Sequence, residues 1–308
     1  MLTCSKVNLS LAVTGRRPDG YHDLDSLFCP FREPSDEIRF EDASGKAGVA
    51  IRCNAPGVPL EPEKNLCGKA VFAYCRAAGM DVPGLVIHLE KRIPVAAGMG
   101  GGSADCAAVL RLLQERFHAL SQERLGEVAF SLGADVPFFL DPRPSRVTGA
   151  GEHITPVDGL PERLPVLLAA PQFPVSAAWA YQHMDLARAL AEPPHTNELI
   201  DALRRRDYGS AARLMRNDLE HALFDKFPLL VLLRGFLLKN GALRVMVSGS
   251  GPTLLALFRD DAAAQAAYGS AAWEFASCDL RDAPAPECQS GTAPAETLPP
   301  AVRFLLPA

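Results

Sequence analysis

The sequence predicts a mixed α/β chain of two domains. Three observations carry that reading. Segments with the two-residue period of strands alternate with segments at helical spacing. The 308 residues are enough for two domains of ordinary size. A Pro- and Gly-rich stretch at 141–165, DPRPSRVTGAGEHITPVDGLPERLP, interrupts the pattern near its middle. The division expected is residues 1–155 and 156–308.

The elements follow in order. Residues 5–14 place Val7, Leu9, Leu11 and Val13 on one face and Asn8, Ser10 and Ala12 on the other, which predicts a strand. RRPDG then makes a turn. Residues 36–53, DEIRFEDASGKAGVAIRC, read as a hairpin around Ser44-Gly45. Residues 64–79 read as a helix, with Leu66, Ala70, Phe72, Ala73 and Ala77 near one face. In GLVIHLEKRI, residues 84–93, Leu85, Ile87 and Leu89 point inward and His88 and Glu90 outward, so this is a strand. Next comes PVAAGMGGGSADCA, residues 94–107, with glycine at 98, 100, 101 and 102. It runs into a segment where Cys106, Val109, Leu110, Leu113 and Phe117 fall at helical spacing, with Ser103 as the expected N-cap. Past the boundary, VLLAAPQF reads as a strand, and 195–206, 208–223 and 226–240 as three helices, the last stopped by Asn240-Gly241. LRVMVSGSGPTLLALF reads as strand, turn, strand. The segment 283–300, APAPECQSGTAPAETLPP, is of low complexity and reads as a surface loop.

Composition narrows the function. With 48% hydrophobic and 22% charged residues the chain can bury a sizeable core. A net charge of -5 gives no positive field for nucleic acid, so an anionic ligand must be held by local donors. The eight cysteines form no CxxC pair and sit near no His cluster, which reads as reduced, mostly buried thiols of a cytoplasmic protein, not as a metal site. The apolar stretch Val7 to Val13 is broken by Asn8 and Ser10, and no run of 18 apolar residues occurs. Neither an export signal nor a membrane span is expected.

The order strand, glycine run, helix start is the context in which bare amides and a helix dipole converge on a phosphate. From the glycines alone, a close-packed turn between helix and sheet reads equally well. The Walker A pattern fails because Ser103 stands where it needs Lys. The dinucleotide fingerprint fails because Ser103 also stands where it needs a third glycine, which argues against a nicotinamide-dependent oxidoreductase.

The wider pattern PxxxGMGGGSAD resembles the phosphate loop of the GHMP kinase superfamily. KVNLSLAVTGRRPDGYHDLDSLF at 6–28, LGADVPFFL at 132–140, NDLE at 217–220 and VSGSGPTLLALF at 247–258 are similar to further segments of the branch that acts on a cytidine diphosphate-linked methylerythritol in non-mevalonate isoprenoid synthesis. The resemblance implies a two-domain GHMP kinase fold with its active site in the interdomain cleft. It implies ATP, with Mg²⁺ carried mainly by the nucleotide phosphates and no dedicated metal ligands. The reaction implied is transfer of the γ-phosphoryl group to the 2-hydroxyl of the small-molecule substrate. The ATP phosphates would be wrapped by Pro94, Val95, Ala96, Ala97, Gly98, Met99, Gly100, Gly101, Gly102, Ser103 and Ala104.

By the same resemblance Asp135 orients the hydroxyl and accepts its proton, while Lys6 contacts both Asp135 and the reacting phosphate. Asn8 would be a polar contact near the acceptor hydroxyl, and Tyr21 and His22 would hold the cytosine. Tyr181, in PQFPVSAAWAY, reads either as a second aromatic against the base or as a helix residue packed on the core. Taken one by one, Asp135 also reads as an Asx-turn residue, Lys6 as a solvated lysine at a strand edge and Asn8 as an outward strand residue. Asp105, in the helix's first turn, reads as an outer contact of the metal or as compensation of the helix dipole. The chain departs from the pattern at Met99, at Ala177, at DPRP after the GADVPFFL segment, and at Ala104, where a missing hydroxyl would weaken the hold on ATP. A homoserine- or mevalonate-type kinase, or a nucleotide-binding sensor of the same fold, is the alternative.

Overall fold

In the computed structural model, residues 1–43, 48–276 and 302–306 are described; they form three sheets and ten α-helices. The first alternating segment is β1 (Ser5–Arg16), and the RRPDG turn returns the chain as β2 (His22–Phe31), antiparallel from Ser5 opposite Phe31 to Arg16 opposite His22. Both faces of β1 are covered. Val7 and Leu9 are buried, and so are Lys6, Asn8 and Ser10 on the opposite face. The outward reading of Asn8 and the solvated reading of Lys6 are therefore wrong: a two-residue period separates two faces but does not say which of them meets water.

The expected hairpin at 36–53 is also corrected. β3 (Glu37–Asp42) and β4 (Val49–Cys53) share a sheet, but β5 (Leu85–Glu90) lies between them, antiparallel to β3 and parallel to β4. The inward Leu85, Ile87 and Leu89 make β5 a strand that gains from a partner on each edge; Ser44-Gly45 lies outside the described residues. The parallel pair needs a crossover, which α1 (Leu66–Ala78) supplies. Asn65 caps it by accepting from the Cys67 N–H, and Gly79 ends it in the left-handed region at φ 63°.

The glycine run follows β5 and opens α2 (Gly101–Phe117), which packs with α1 and α3 (Gln122–Leu132) over the sheets around Val71, Tyr74, Ile87, Leu110 and Phe138. Ser103 is not the N-cap. The helix begins within the glycines, Gly100 occupies the cap position at φ 74°, and no side chain bonds the first amides. Asp105 is accordingly the fifth helical residue, in the second turn. The Pro- and Gly-rich boundary holds β6 (Ser145–Gly149) and β7 (His153–Pro156), which complete the first sheet in the order β1-β2-β6-β7.

The second half begins with β8 (Val166–Pro171), followed by α4 (Ala177–His183), α5 (Leu186–Ala191) and α6 (Thr196–Arg204). The single helix expected over 208–223 is two, α7 (Tyr208–Leu214) and α8 (Glu220–Lys226). Between them the chain extends to pair with β1. The Leu11 N–H donates to the Arg216 carbonyl at 2.7 Å, and the Asp218 N–H donates to the Leu11 carbonyl at 3.0 Å. Next come α9 (Pro228–Lys239), β9 (Arg244–Val247), β10 (Leu254–Leu257), α10 (Asp261–Ala276) and β11 (Val302–Leu305), the strands lying in the order β11-β8-β10-β9. Val7, Leu9 and Leu27 share a core with Leu168, Leu199, Met246 and Leu255, so β1 and β2 are packed from both halves. No described helix is long and apolar enough to cross a membrane, and residues 283–300 lie outside the described residues.

Candidate active site

Lys6 enters the site from the covered face of β1. Its ammonium is 3.2 Å from Asp135 Oδ2, donates to Asn8 Oδ1 at 2.7 Å and lies 4.3 Å from the centre of the Phe28 ring. Asp135 stands between the end of α3 and a short 3₁₀ turn, Pro137–Leu140, where the Val136 N–H closes a turn on the Gly133 carbonyl. The Lys6 side chain is 5% exposed and that of Asp135 35% exposed, so a buried cation meets an acid open to a cleft. Asn8 is held in turn: its amide donates to Ser26 Oγ at 2.9 Å, and its N–H donates to Ser248 Oγ at 3.2 Å.

The glycine loop forms the wall between two cavities. One, of about 910 Å³, is lined by Lys6, Asn8, Tyr21, His22, Asp135 and Tyr181. The other, of about 360 Å³, is lined by Pro94 through Ser103 together with Val58, Asn65, Leu66 and Lys91. Gly98, Gly100 and Ser103 line both. Two of the glycines are required by space and by conformation. A Cβ on Gly98, at φ 77°, would stand 2.8 Å from the carbonyl oxygens of Ser248 and Gly251. A Cβ on Gly100, at φ 74°, would stand 2.6 Å from the Phe139 ring and 3.0 Å from Lys6 Cγ. The packing reading of this run holds, and it leaves room for the phosphate reading: the bare loop fits against Lys6 and the SGSG turn, and its uncapped helix start borders cavity space. Met99 and Ala104 face the core, with Met99 accepting the Lys6 N–H at its carbonyl, 2.9 Å away. The hydroxyl missing at Ala104 is therefore missing from the core side of the helix, not from the cavity wall.

The SGSG turn joins β9 to β10 and is clamped by Asn217, whose amide donates to the carbonyls of Val247 at 2.7 Å and Gly249 at 2.8 Å. Gly249 lies close enough to the catalytic candidates that a Cβ there would be 3.0 Å from Asn8 Oδ1. In the lining of the larger cavity the His22 and Tyr181 rings stack, with centroids 5.4 Å apart and planes 14° from parallel. Burial lowers the pKa of His22, with Arg16 adding to the effect. Burial raises that of Tyr181, and the Asp135 charge raises it further. The imidazole is therefore neutral, and the phenol protonated, at neutral pH. Tyr181 packs on the core of the second half, as the second reading has it, and also lines the cavity. Tyr21 is 61% exposed on the rim.

Asp105 is buried, though it lines the smaller cavity. It pairs with Lys91 at 2.6 Å, and Lys91 also pairs with Asp36. Burial raises the pKa of Asp105, with Lys91 opposing and Asp36 adding. Sequence reasoning missed Arg16, a cleft residue beside His22; Ser26 and Ser248, which hold Asn8; and the clamp by Asn217. All four lie in segments that the sequence singles out, Arg16 and Ser26 in 6–28, Asn217 in NDLE and Ser248 in 247–258, but those segments gave no partner for any of them.

Two family profiles match the chain: "GHMP kinases N terminal domain" over residues 65–141 and "GHMP kinases C terminal" over residues 199–272. A relative from Solidesulfovibrio magneticus, named 4-diphosphocytidyl-2-C-methyl-D-erythritol kinase, is 41% identical over 258 residues, which is 82% of this chain and 86% of the relative. A crystal structure of 4-(cytidine 5'-diphospho)-2C-methyl-D-erythritol kinase is similar with a TM-score of 0.72 at 35% identity, covering 88% of this chain and 94% of that one. A homoserine kinase from Cytophaga hutchinsonii reaches the same TM-score at 21% identity, covering 90% of each chain, a likeness of fold alone.

Proposed function

The chain belongs to the GHMP kinases, and on that premise we propose that it transfers the γ-phosphoryl group of ATP to the 2-hydroxyl of 4-diphosphocytidyl-2-C-methyl-D-erythritol, a step of non-mevalonate isoprenoid synthesis. The observation that carries the reading is the Lys6–Asp135 pair at 3.2 Å, beside the glycine loop in a cleft that a stacked His–Tyr pair also lines. The smaller cavity would take the nucleoside of ATP, and the N–H groups at the start of α2 would receive its phosphates. The larger would take the cytidylyl substrate, with its acceptor hydroxyl at Asp135 and its base at His22, Tyr21 and Tyr181.

In this arrangement Asp135 accepts the hydroxyl proton as the substrate oxygen bonds to the γ-phosphorus and the bond to the ADP oxygen breaks. Lys6 favours the ionised form of Asp135 and offsets charge on the phosphoryl oxygens. Asn8 keeps the ammonium in place. Among the described residues no three His, Cys, Asp or Glu side chains converge to hold a metal. Mg²⁺ would be held through the nucleotide phosphates, neutralising part of their charge. The proposal extends to a cytoplasmic location and to a domain boundary at 155/156, one residue before the end of β7, after which the chain leads into β8.

A homoserine or mevalonate kinase has no use for the ring pair, and a sensor has no use for a preorganised acid and ammonium. An ATP-consumption assay across 4-diphosphocytidyl-2-C-methyl-D-erythritol, homoserine and mevalonate tests the reading. Turnover of the first alone is expected; turnover of either other, with none of the first, overturns it.

A further inference from the structure

Lys91, Asp36 and Asp105 take no part in the transfer, yet they hold both ends of the glycine loop. Lys91 stands three residues before Pro94, and Asp105 lies in the second turn of the helix the loop opens. The Lys91 ammonium donates to Asp105 Oδ2 at 2.6 Å and to Asp36 Oδ2. Asp36 Oδ1 accepts the N–H groups of Arg92 at 2.6 Å and Ile93 at 2.8 Å, which fixes the residues leading into Pro94. The three side chains are 7%, 1% and 5% exposed for Lys91, Asp36 and Asp105. A Cβ on Gly101 would lie 3.3 Å from the Lys91 nitrogen, so the ammonium rests against the first helical residue.

The charges in this cluster do not balance. Two carboxylates share one ammonium, which leaves one negative charge buried beside the smaller cavity, whose lining includes both Lys91 and Asp105. The oxygens are unequal as well. Asp36 accepts three hydrogen bonds, whereas Asp105 Oδ1 is buried with no partner among the described residues. An extra proton therefore belongs on Asp105. An anion placed beside a buried carboxylate favours its neutral form.

Resting on the kinase reading, we propose that Lys91, Asp36 and Asp105 are positioning residues of the phosphate loop, and that the Asp105 carboxylate takes a proton from solvent when the loop receives the nucleotide's phosphates.

The surroundings leave Asp105 as the group free to change. Facing it are Lys91 after β5, Asp36 before β3, the Cys67 thiol of α1 and the Cys106 thiol of α2. Burial pushes both thiols up, with Asp105 adding, so they stay protonated and neutral through the physiological range. Burial also lifts Asp105 itself, to about 7, with Lys91 pulling down and Asp36 pushing up.

The sign follows by linkage. Proton uptake on binding weakens nucleotide affinity as pH rises past the pKa of the free protein, by up to about tenfold per pH unit. The test is calorimetric titration of the full chain with MgATP in buffers of differing ionisation enthalpy, repeated on Asp105→Asn, which keeps an acceptor for Lys91. The parent is expected to take up a measurable fraction of a proton per nucleotide near neutral pH. Asp105→Asn is expected to take up none beyond what the ligand contributes and to lose the rise of the ATP KM with pH. A role confined to stability would shift Tm and leave the proton count unchanged. A parent with no uptake, or a variant with the same uptake as the parent, overturns the inference. If MgATP binds neither protein, the kinase reading falls with it. If MgATP binds without uptake, only this inference falls.

Discussion

Replacing Lys6 by methionine separates the charge of this side chain from its bulk. The unbranched stem still passes Gly100 and Phe28, so no large cavity opens. What disappears is the ammonium, with its bond to Asn8 at 2.7 Å and its pairing with Asp135 at 3.2 Å. Asn8 is 1% exposed, so its oxygen is left without a donor at a cost of about 1–3 kcal/mol. Asp135 is open to water, and its lost pair adds about 1 kcal/mol at most. Relief from burying a cation offsets part of both. A net loss of about 1–2 kcal/mol leaves a protein of ordinary stability folded, with Tm lower by about 2–8 °C. The effect on chemistry is of another size. Losing one preorganised partner of the phosphoryl oxygens costs about 10²–10³-fold in kcat. ADP release at saturating ATP and 4-diphosphocytidyl-2-C-methyl-D-erythritol measures the second effect, and a thermal scan the first. A folded variant whose kcat lies within about threefold of the parent would refute the placement of Lys6 at the reacting group.

Three further outcomes are expected. Asp135→Asn keeps an acceptor for Lys6 on a partly exposed site, so nucleotide affinity by calorimetry stays within a few-fold while kcat falls about 10²–10⁴-fold; turnover at the parent rate would remove the base assignment. Gly98→Ala sets a Cβ 2.8 Å from two carbonyl oxygens at φ 77°, which costs about 1–2 kcal/mol in conformation alone and moves the loop from the SGSG turn; KM is expected to rise for both substrates, and unchanged values would show that this contact does not shape the site. Tyr181→Ala removes the partner of the His22 ring, so KM for the cytidylyl substrate should rise by about 5–100-fold with the ATP KM held; an equal rise in both would make Tyr181 a packing residue only.

Local patterns in the sequence were reliable where local forces decide. The period of β1 and β5, the helices around 64–79 and 103–117, and the strand–turn–strand at 244–257 all depend on neighbours a few residues away. They failed where a distant segment competes. A Ser-Gly pair between two alternating runs carries no sign that β5, more than thirty residues on, will separate them. The helical spacing over 208–223 carries no sign that β1 will draw residues 216–218 into backbone pairing. Ser103 was a sound cap by residue type. It lost the position because three glycines let the helix start earlier, leaving its amides without a side-chain partner.

The candidate site shows the same division. Lys6, Asp135 and the glycine loop were visible because each sits in its own short motif. Much of what holds them was not visible, because supports beyond the local Lys6–Asn8 bond cross the chain. The Asn8 N–H reaches Ser248 across 240 positions, and Asn217 reaches the carbonyls of Val247 and Gly249. Such contacts also explain why the loop tolerates so little. Gly98 meets the SGSG turn of the second half at backbone contact, while Gly100 meets Lys6 and Phe139 of the first. A displacement of either half must therefore move the amides that face the cavities, and with them the ammonium behind Gly100. The position of the Lys6–Asp135 pair is thus a property of both halves packed against β1, not of the motifs that carry the two residues.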